Sequence, residues 1–197
     1  MQDRPMTGVT TAAERPLAAQ IGLEVGLAAT FTVALVAAAH LKIPLPFTPV
    51  PLTPQTLVVL LAGGLLGARL GFVAATGFLL LGLLAPSVMA GPSFAGPTGG
   101  YVLGFVLAAV VAGICCGRAF QSPTAVRSWR WLTVGMVAGS LTILLCGSLW
   151  LVAYTGQDWL KALQLGALPF LPGDALKTAA AVVLVQRFHP QMKRVLG

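Results

Sequence analysis

Long apolar runs at about 17–40, 55–68, 70–86, 100–120, 132–155 and 171–188 dominate the chain, with most charged side chains in the connectors between them. A helix needs about 20 residues to cross the hydrocarbon layer. The pattern therefore predicts an all-α membrane protein with six transmembrane helices. The second and third runs form an uninterrupted stretch of about 32 residues, too long for one untilted span, with Gly67-Ala68-Arg69-Leu70-Gly71 in the middle. Basic residues decide the count. With a break at Arg69 and the N-terminus inside, the inner segments hold Arg4, Arg15, Arg69, Arg118, Arg127, Arg130, Arg187, Lys193 and Arg194, and the outer connectors hold Lys42 and Lys161. Without the break, Arg118, Arg127 and Arg130 would lie outside, against the positive-inside rule. The expected layout is N-in/C-in: a cytoplasmic segment (1–16), a six-helix membrane domain (17–190) and a cytoplasmic tail (191–197). A secretory signal has an apolar core of roughly 7–15 residues, shorter than the first run, which reads as a retained span.

Composition agrees. The chain is 57% hydrophobic and 9% charged, against roughly 25% charged residues in soluble domains. Its net charge of +7 is scattered over several connectors; with no basic stripe, nucleic acid is not an expected partner, whereas membrane lipid is. Cys115, Cys116 and Cys146 lie in apolar runs without CxxC spacing, so neither a disulfide framework nor a metal site is expected. There is no GxxxxGK[ST] tract to hold ATP, no HExxH helix and no Ser–His nucleophile arrangement, which argues against an ATPase or an intramembrane enzyme. No internal repeat supports an inverted-repeat transporter.

Two outer segments are unusual. Loop 1 (43–55) carries Pro44, Pro46, Pro49, Pro51 and Pro54, and the segment 86–100 is rich in Gly and Pro and uncharged. Irregular backbone at membrane depth is tolerated where it is buried in protein or lines a cavity. Both are read either as lids folding inward or as ordinary connectors. The first span carries a ridge of small residues, Gly22, Gly26, Thr30, Ala34 and Ala38, at every fourth position. Such ridges let helices approach closely, in the bundle or against a partner subunit.

The chemistry concentrates near the outer end of the last span. Asp174 and Lys177 stand i, i+3 on one helical face in an apolar segment. A charge at mid-bilayer costs roughly 2.5–3.5 kcal/mol on insertion scales, so it usually has a partner and a task. The pair is either a ligand site, offering a carboxylate acceptor and an ammonium donor, or a local helix-start arrangement. Gln55 opens the second run and offers both donors and an acceptor. Tyr101 ends the GPTGGY tract; Phe47, Phe94 and Phe170 are candidates for apolar walls or interfacial anchors. Glu24 reads as an interfacial or inter-helix hydrogen-bonding group in preference to a proton relay.

Read together, LPFTPVPLTPQT (45–56), LLAGGLLGARLG (60–71), GPTGGYVLGF (96–105) and LPFLPGDALK (168–177) resemble the BioY family, the biotin-specific substrate-binding (S) component of energy-coupling factor (ECF) transporters. The tracts stand in family order and the resemblance covers nearly the whole chain. It implies the six-helix S-component fold in a bacterial cytoplasmic membrane, capturing biotin from outside beneath loop 1 and the 86–100 segment. It also implies a transmembrane scaffold (T) subunit and two ABC-type ATPases as partners, which consume the ATP; biotin is the transported ligand and no cofactor is needed. Asp174, Lys177, Gln55, Thr98, Gly99 and Tyr101 become the expected substrate-binding residues, with Phe47, Pro49, Val50, Phe94 and Phe170 as walls or lid and the ridge Gly22 to Ala38 as the docking face. Asp174 would take a ureido N–H, and Lys177 would donate to the carbonyl or the carboxylate. Departures from the family pattern are a shorter 86–100 loop, Phe78 where a Tyr is common, and the absence of any Asn. An S component or small permease for another vitamin-like molecule is the alternative.

Overall fold

The computed structural model describes residues 16–89, 96–122 and 124–196. Within them the chain is all-helical apart from turns and one isolated β-bridge: α1 (Leu17–His40), α2 (Gln55–Leu84), α3 (Gly99–Phe120), α4 (Ala125–Thr155), α5 (Trp159–Gly166) and α6 (Leu171–Leu196), with short 3₁₀ turns at Pro86–Met89 and Leu168–Phe170. Among the described residues, five stretches are long and apolar enough to cross a membrane, α5 and α6 counting as one and α2 as another.

α2 is not one rod. Gly67 has φ 82° and ψ 173°, a region essentially reserved for glycine. A Cβ built on Gly71 would lie 2.9 Å from the Gly63 Cα, although eight residues of straight helix would separate them by about 12 Å. The chain therefore doubles back, and arms 55–66 and 68–84 pack against each other. The break lies two residues before Arg69. The charge marks the connector, but the reversal needs the one residue without a Cβ. Nothing lies within 4 Å of a Cβ on Gly67, so Gly67→Ala isolates backbone strain. It should lose about 1–3 kcal/mol of stability, read as a lower denaturation midpoint in detergent. An unchanged midpoint would contradict the turn.

Contacts fix the helix directions. Arg69 bonds Glu24 at 3.1 Å, and Thr32 Oγ1 donates to the Ala74 carbonyl at 2.9 Å, so α1 and the second arm run side by side in the same direction. Gly104 packs on Ile143 and Gly135 on Cys115, so α3 and α4 are antiparallel. At the end holding Arg69, the Arg118 guanidinium lies 5.6 Å over the Trp131 ring and Phe120 stacks on His189. The described chain thus starts and finishes at the same end of the bundle. Apolar side chains pack into two buried clusters, one around Phe78, Phe105 and Leu151, the other around Leu60, Met136 and Val185.

Two boundaries and one element differ from the sequence reading. α4 begins at Ala125 instead of near 132, and α6 runs on through Pro190 to Leu196, past the expected end near 188. α5 was not anticipated; Asp158 caps it, accepting from the Lys161 N–H at 2.7 Å. The small-residue ridge of α1 is divided. Ala38 is buried and Ala34 half-buried, whereas Gly22, Gly26 and Thr30 are exposed, and a Cβ on either glycine would touch nothing within 4 Å.

Candidate ligand-binding site

At the end of the bundle opposite Arg69, the mouths of α1, α2, α3, α4 and α6 and the proline-rich loop 1 enclose a cavity of about 370 Å³. This lies within the roughly 300–1,000 Å³ usual for small-molecule sites.

The polar wall comes from α6 and the start of α2. Pro172 occupies the first turn of α6, where its missing N–H is not needed. The same turn carries Asp174, 4% exposed. Lys177, one turn on, puts its Nζ 2.9 Å from Asp174 Oδ1, and Ser140 Oγ of α4 stands 3.5 Å from Oδ2. A carboxylate has about four acceptor positions and an ammonium three donors. Both groups therefore keep capacity for a ligand while lowering each other's cost of burial. Gln55, 8% exposed, also lines the cavity and accepts from Thr53 Oγ1 at 3.1 Å.

The remaining wall is apolar and aromatic. Phe78 and Phe105 meet at 6.2 Å between ring centroids, and Tyr101 meets Phe170 edge-on at 6.4 Å. All four rings line the cavity. The Tyr101 hydroxyl donates to the Gly166 carbonyl at the end of α5, and Thr48 Oγ1 of loop 1 donates to the Leu165 carbonyl at 2.6 Å. Ile43 and Leu52 form an antiparallel bridge at the base of loop 1.

Of the residues expected from the sequence, Asp174, Lys177, Gln55, Thr98, Tyr101, Pro49, Val50 and Phe170 all line this cavity. Gly99 opens α3 beside it, buried but outside the lining. Phe47 is 59% exposed and outside the lining, because loop 1 presents Thr48 and Val50 inward. Phe94 falls outside the described residues. The sequence reading passed over Lys42, Thr48, Thr53 and the α4 residues Ile143 and Leu144. The threonines of the PFTPVPLTPQ tract were a usable signal, whereas Ile143 and Leu144 are indistinguishable from other positions in an apolar run. Glu24 is ion-paired with Arg69 at the opposite end, far from the cavity.

The BioY family model matches residues 12–194. The chain is 38% identical to the probable biotin transporter BioY of Pyrococcus horikoshii, across 84% of this chain and 96% of that one. To the biotin transporter BioY of Rhizobium etli it is 33% identical, across 80% and 88%. Among solved structures, the crystal structure of the S-component for biotin from an ECF-type ABC transporter superposes with a TM-score of 0.77 at 26% identity, covering 89% of this chain and 95% of that one.

Proposed function

The chain belongs to the BioY family, and from that premise we propose that it captures biotin in the cavity at the mouth of its bundle, as the substrate-binding subunit of an ECF-type transporter. The observation that carries this reading is the Asp174–Lys177 pair, with a buried carboxylate and a partly buried ammonium, lining an aromatic-walled cavity of about 370 Å³. A ureido ring has two N–H donors and one carbonyl. Asp174 accepts an N–H, Lys177 donates to the carbonyl, and the rings of Phe78, Phe105 and Tyr101 pack against the apolar bicycle and chain. Thr98 and the α3 start at Gly99 border the same space.

Counting the two arms of α2 separately gives six spans. The end that gathers Arg69, Arg118, Arg130, Arg187, Lys193 and Arg194 then faces the cytoplasm by the positive-inside rule, with both termini inside and the cavity open to the exterior of a bacterial cytoplasmic membrane. The sequence has no GxxxxGK[ST] tract. Energy comes from two ABC-type ATPases through a transmembrane scaffold subunit, and the exposed Gly22, Gly26 and Thr30 form the ridge on which that scaffold packs. Ala34 and Ala38, turned toward the bundle, are not part of that contact surface.

The test is equilibrium binding to the purified subunit alone. Biotin should bind in the nanomolar to low-micromolar range, at least about a hundredfold tighter than thiamine or riboflavin, a difference of about 2.8 kcal/mol. Tighter binding of another vitamin would replace biotin as the ligand.

A further inference from the structure

Immediately before α3 the chain brings Pro97 and Thr98 into the cavity wall, with Gly96 buried next to them in sequence. The stretch forms a tight turn, closed by the Gly99 N–H on the Gly96 carbonyl at 3.4 Å. That is long for an N–H···O bond, which is usually 2.7–3.2 Å. Pro97 has no N–H to add, and Thr98 makes no side-chain bond capping α3.

A shorter bond comes from outside the turn. Trp150, in the outer half of α4, donates its indole N–H to the same Gly96 carbonyl at 3.0 Å. An indole nitrogen can only donate, and when buried it usually finds an acceptor. The two bonds together use both lone pairs of that carbonyl. Trp150 also meets the first turn of α3. A methyl on Gly100 would run into Trp150 Cβ and lie 2.5 Å from the Cys146 carbonyl oxygen, so α3 starts flush against α4. Tyr101, the next residue, lines the cavity, whereas Trp150 lies outside the lining. Trp150 thus grips the segment 96–100 at both ends, behind the wall that Pro97, Thr98 and Tyr101 present.

Resting on the biotin reading above, we propose that Trp150 is a positioning residue for ligand binding: through Gly96 it sets the place of Thr98 in the cavity wall. Affinity then depends on an indole N–H that is not part of the pocket surface.

Titration with biotin of purified wild type, Trp150→Phe, Thr98→Ala and the double variant tests this. Phenylalanine keeps an aromatic ring and removes the N–H, so Trp150→Phe should lose about three- to tenfold in affinity, the worth of one hydrogen bond. Because the effect runs through Thr98, the same exchange in the Thr98→Ala background should cost less than about twofold. A tryptophan that serves stability alone would not show that coupling. Unchanged affinity in Trp150→Phe, or an equal loss with and without the Thr98 side chain, overturns the positioning role and leaves biotin as the ligand. If Trp150→Phe fails to fold, the indole N–H signals of wild type decide. The chain has four tryptophans, and Trp129→Phe, Trp131→Phe and Trp159→Phe identify the other three signals. Saturating biotin should shift the Trp150 signal and leave those of Trp129 and Trp131 in place; a Trp150 signal that does not move overturns the proposal. Wild type that binds no biotin sinks the biotin reading, and the positioning role with it.

Discussion

Exchanging Asp174 for asparagine should weaken biotin binding by roughly tenfold to a hundredfold or more, because a hydrogen bond to a charged group contributes about 1.5–3 kcal/mol. Asparagine keeps the shape and one acceptor oxygen, so the loss reports on charge more than on packing. Two effects add. The ligand's N–H loses an anionic acceptor, and Lys177, whose side chain is only 16% exposed, loses the partner 2.9 Å away that offsets its burial. The second effect also destabilises the unliganded protein, so the melting point must be followed beside the affinity. Lys177→Met separates the terms. If the two groups act as a pair, the double variant Asp174→Asn/Lys177→Met should lose less than the sum of the single losses. Calorimetric titration of the purified subunit is the measurement. A change smaller than about twofold in Asp174→Asn, with the fold intact, would remove the carboxylate from the binding site.

The second large effect is on the fold. Gly63 lies where three stretches of backbone converge: its own arm of α2, the returning arm at Gly71, and α3 at Ala109. A methyl at Gly63 would run into the Ala109 carbonyl oxygen and lie 3.0 Å from its carbonyl carbon. Both obstacles are main chain, so no rotamer change relieves them, and α2 must move away from α3. Overpacking of this kind costs about 1–3 kcal/mol and occasionally more. For a chain of this length that corresponds to a melting point lower by about 2–12 °C. Gly63→Ala should therefore melt well below wild type, while Gly22→Ala and Gly26→Ala, whose new methyls would meet nothing within 4 Å, should not. Equal melting points for Gly63→Ala and wild type would mean that α2 and α3 are not packed as closely as described.

The same glycines show how far the sequence could be read. Gly63, Gly67 and Gly71 recur at every fourth position, a spacing that goes with close helix contact, but spacing alone cannot tell a ridge along one helix from a hairpin. The hairpin depends on the dihedral angles of Gly67, which nothing in the letters records. Arg69 came within two residues of the turn because a positive charge prefers the connector. In the pocket, Asp174, Lys177 and Gln55 stood out because polar groups in apolar runs are costly and need partners. Ser140, beside Asp174, did not: a serine in a membrane helix is usually satisfied by its own backbone, and only packing of α4 on α6 shows otherwise. Phe47, expected as wall or lid, shows a related limit. Five prolines mark loop 1 as stiff and extended, but the letters do not tell that Thr48, Pro49, Val50 and Pro51 line the cavity while Phe47 stays outside the lining.

The end of α5 has a wider significance. The last carbonyls of a helix have no partners within it. In α5 two of them, Leu165 and Gly166, accept hydroxyl groups from Thr48 of loop 1 and Tyr101 of α3. Loop 1 is therefore fastened to the far side of the bundle by its midpoint as well as hinged at its base. Any excursion that uncovers the cavity must first undock that midpoint from α5, which makes this eight-residue helix the clasp of the vestibule.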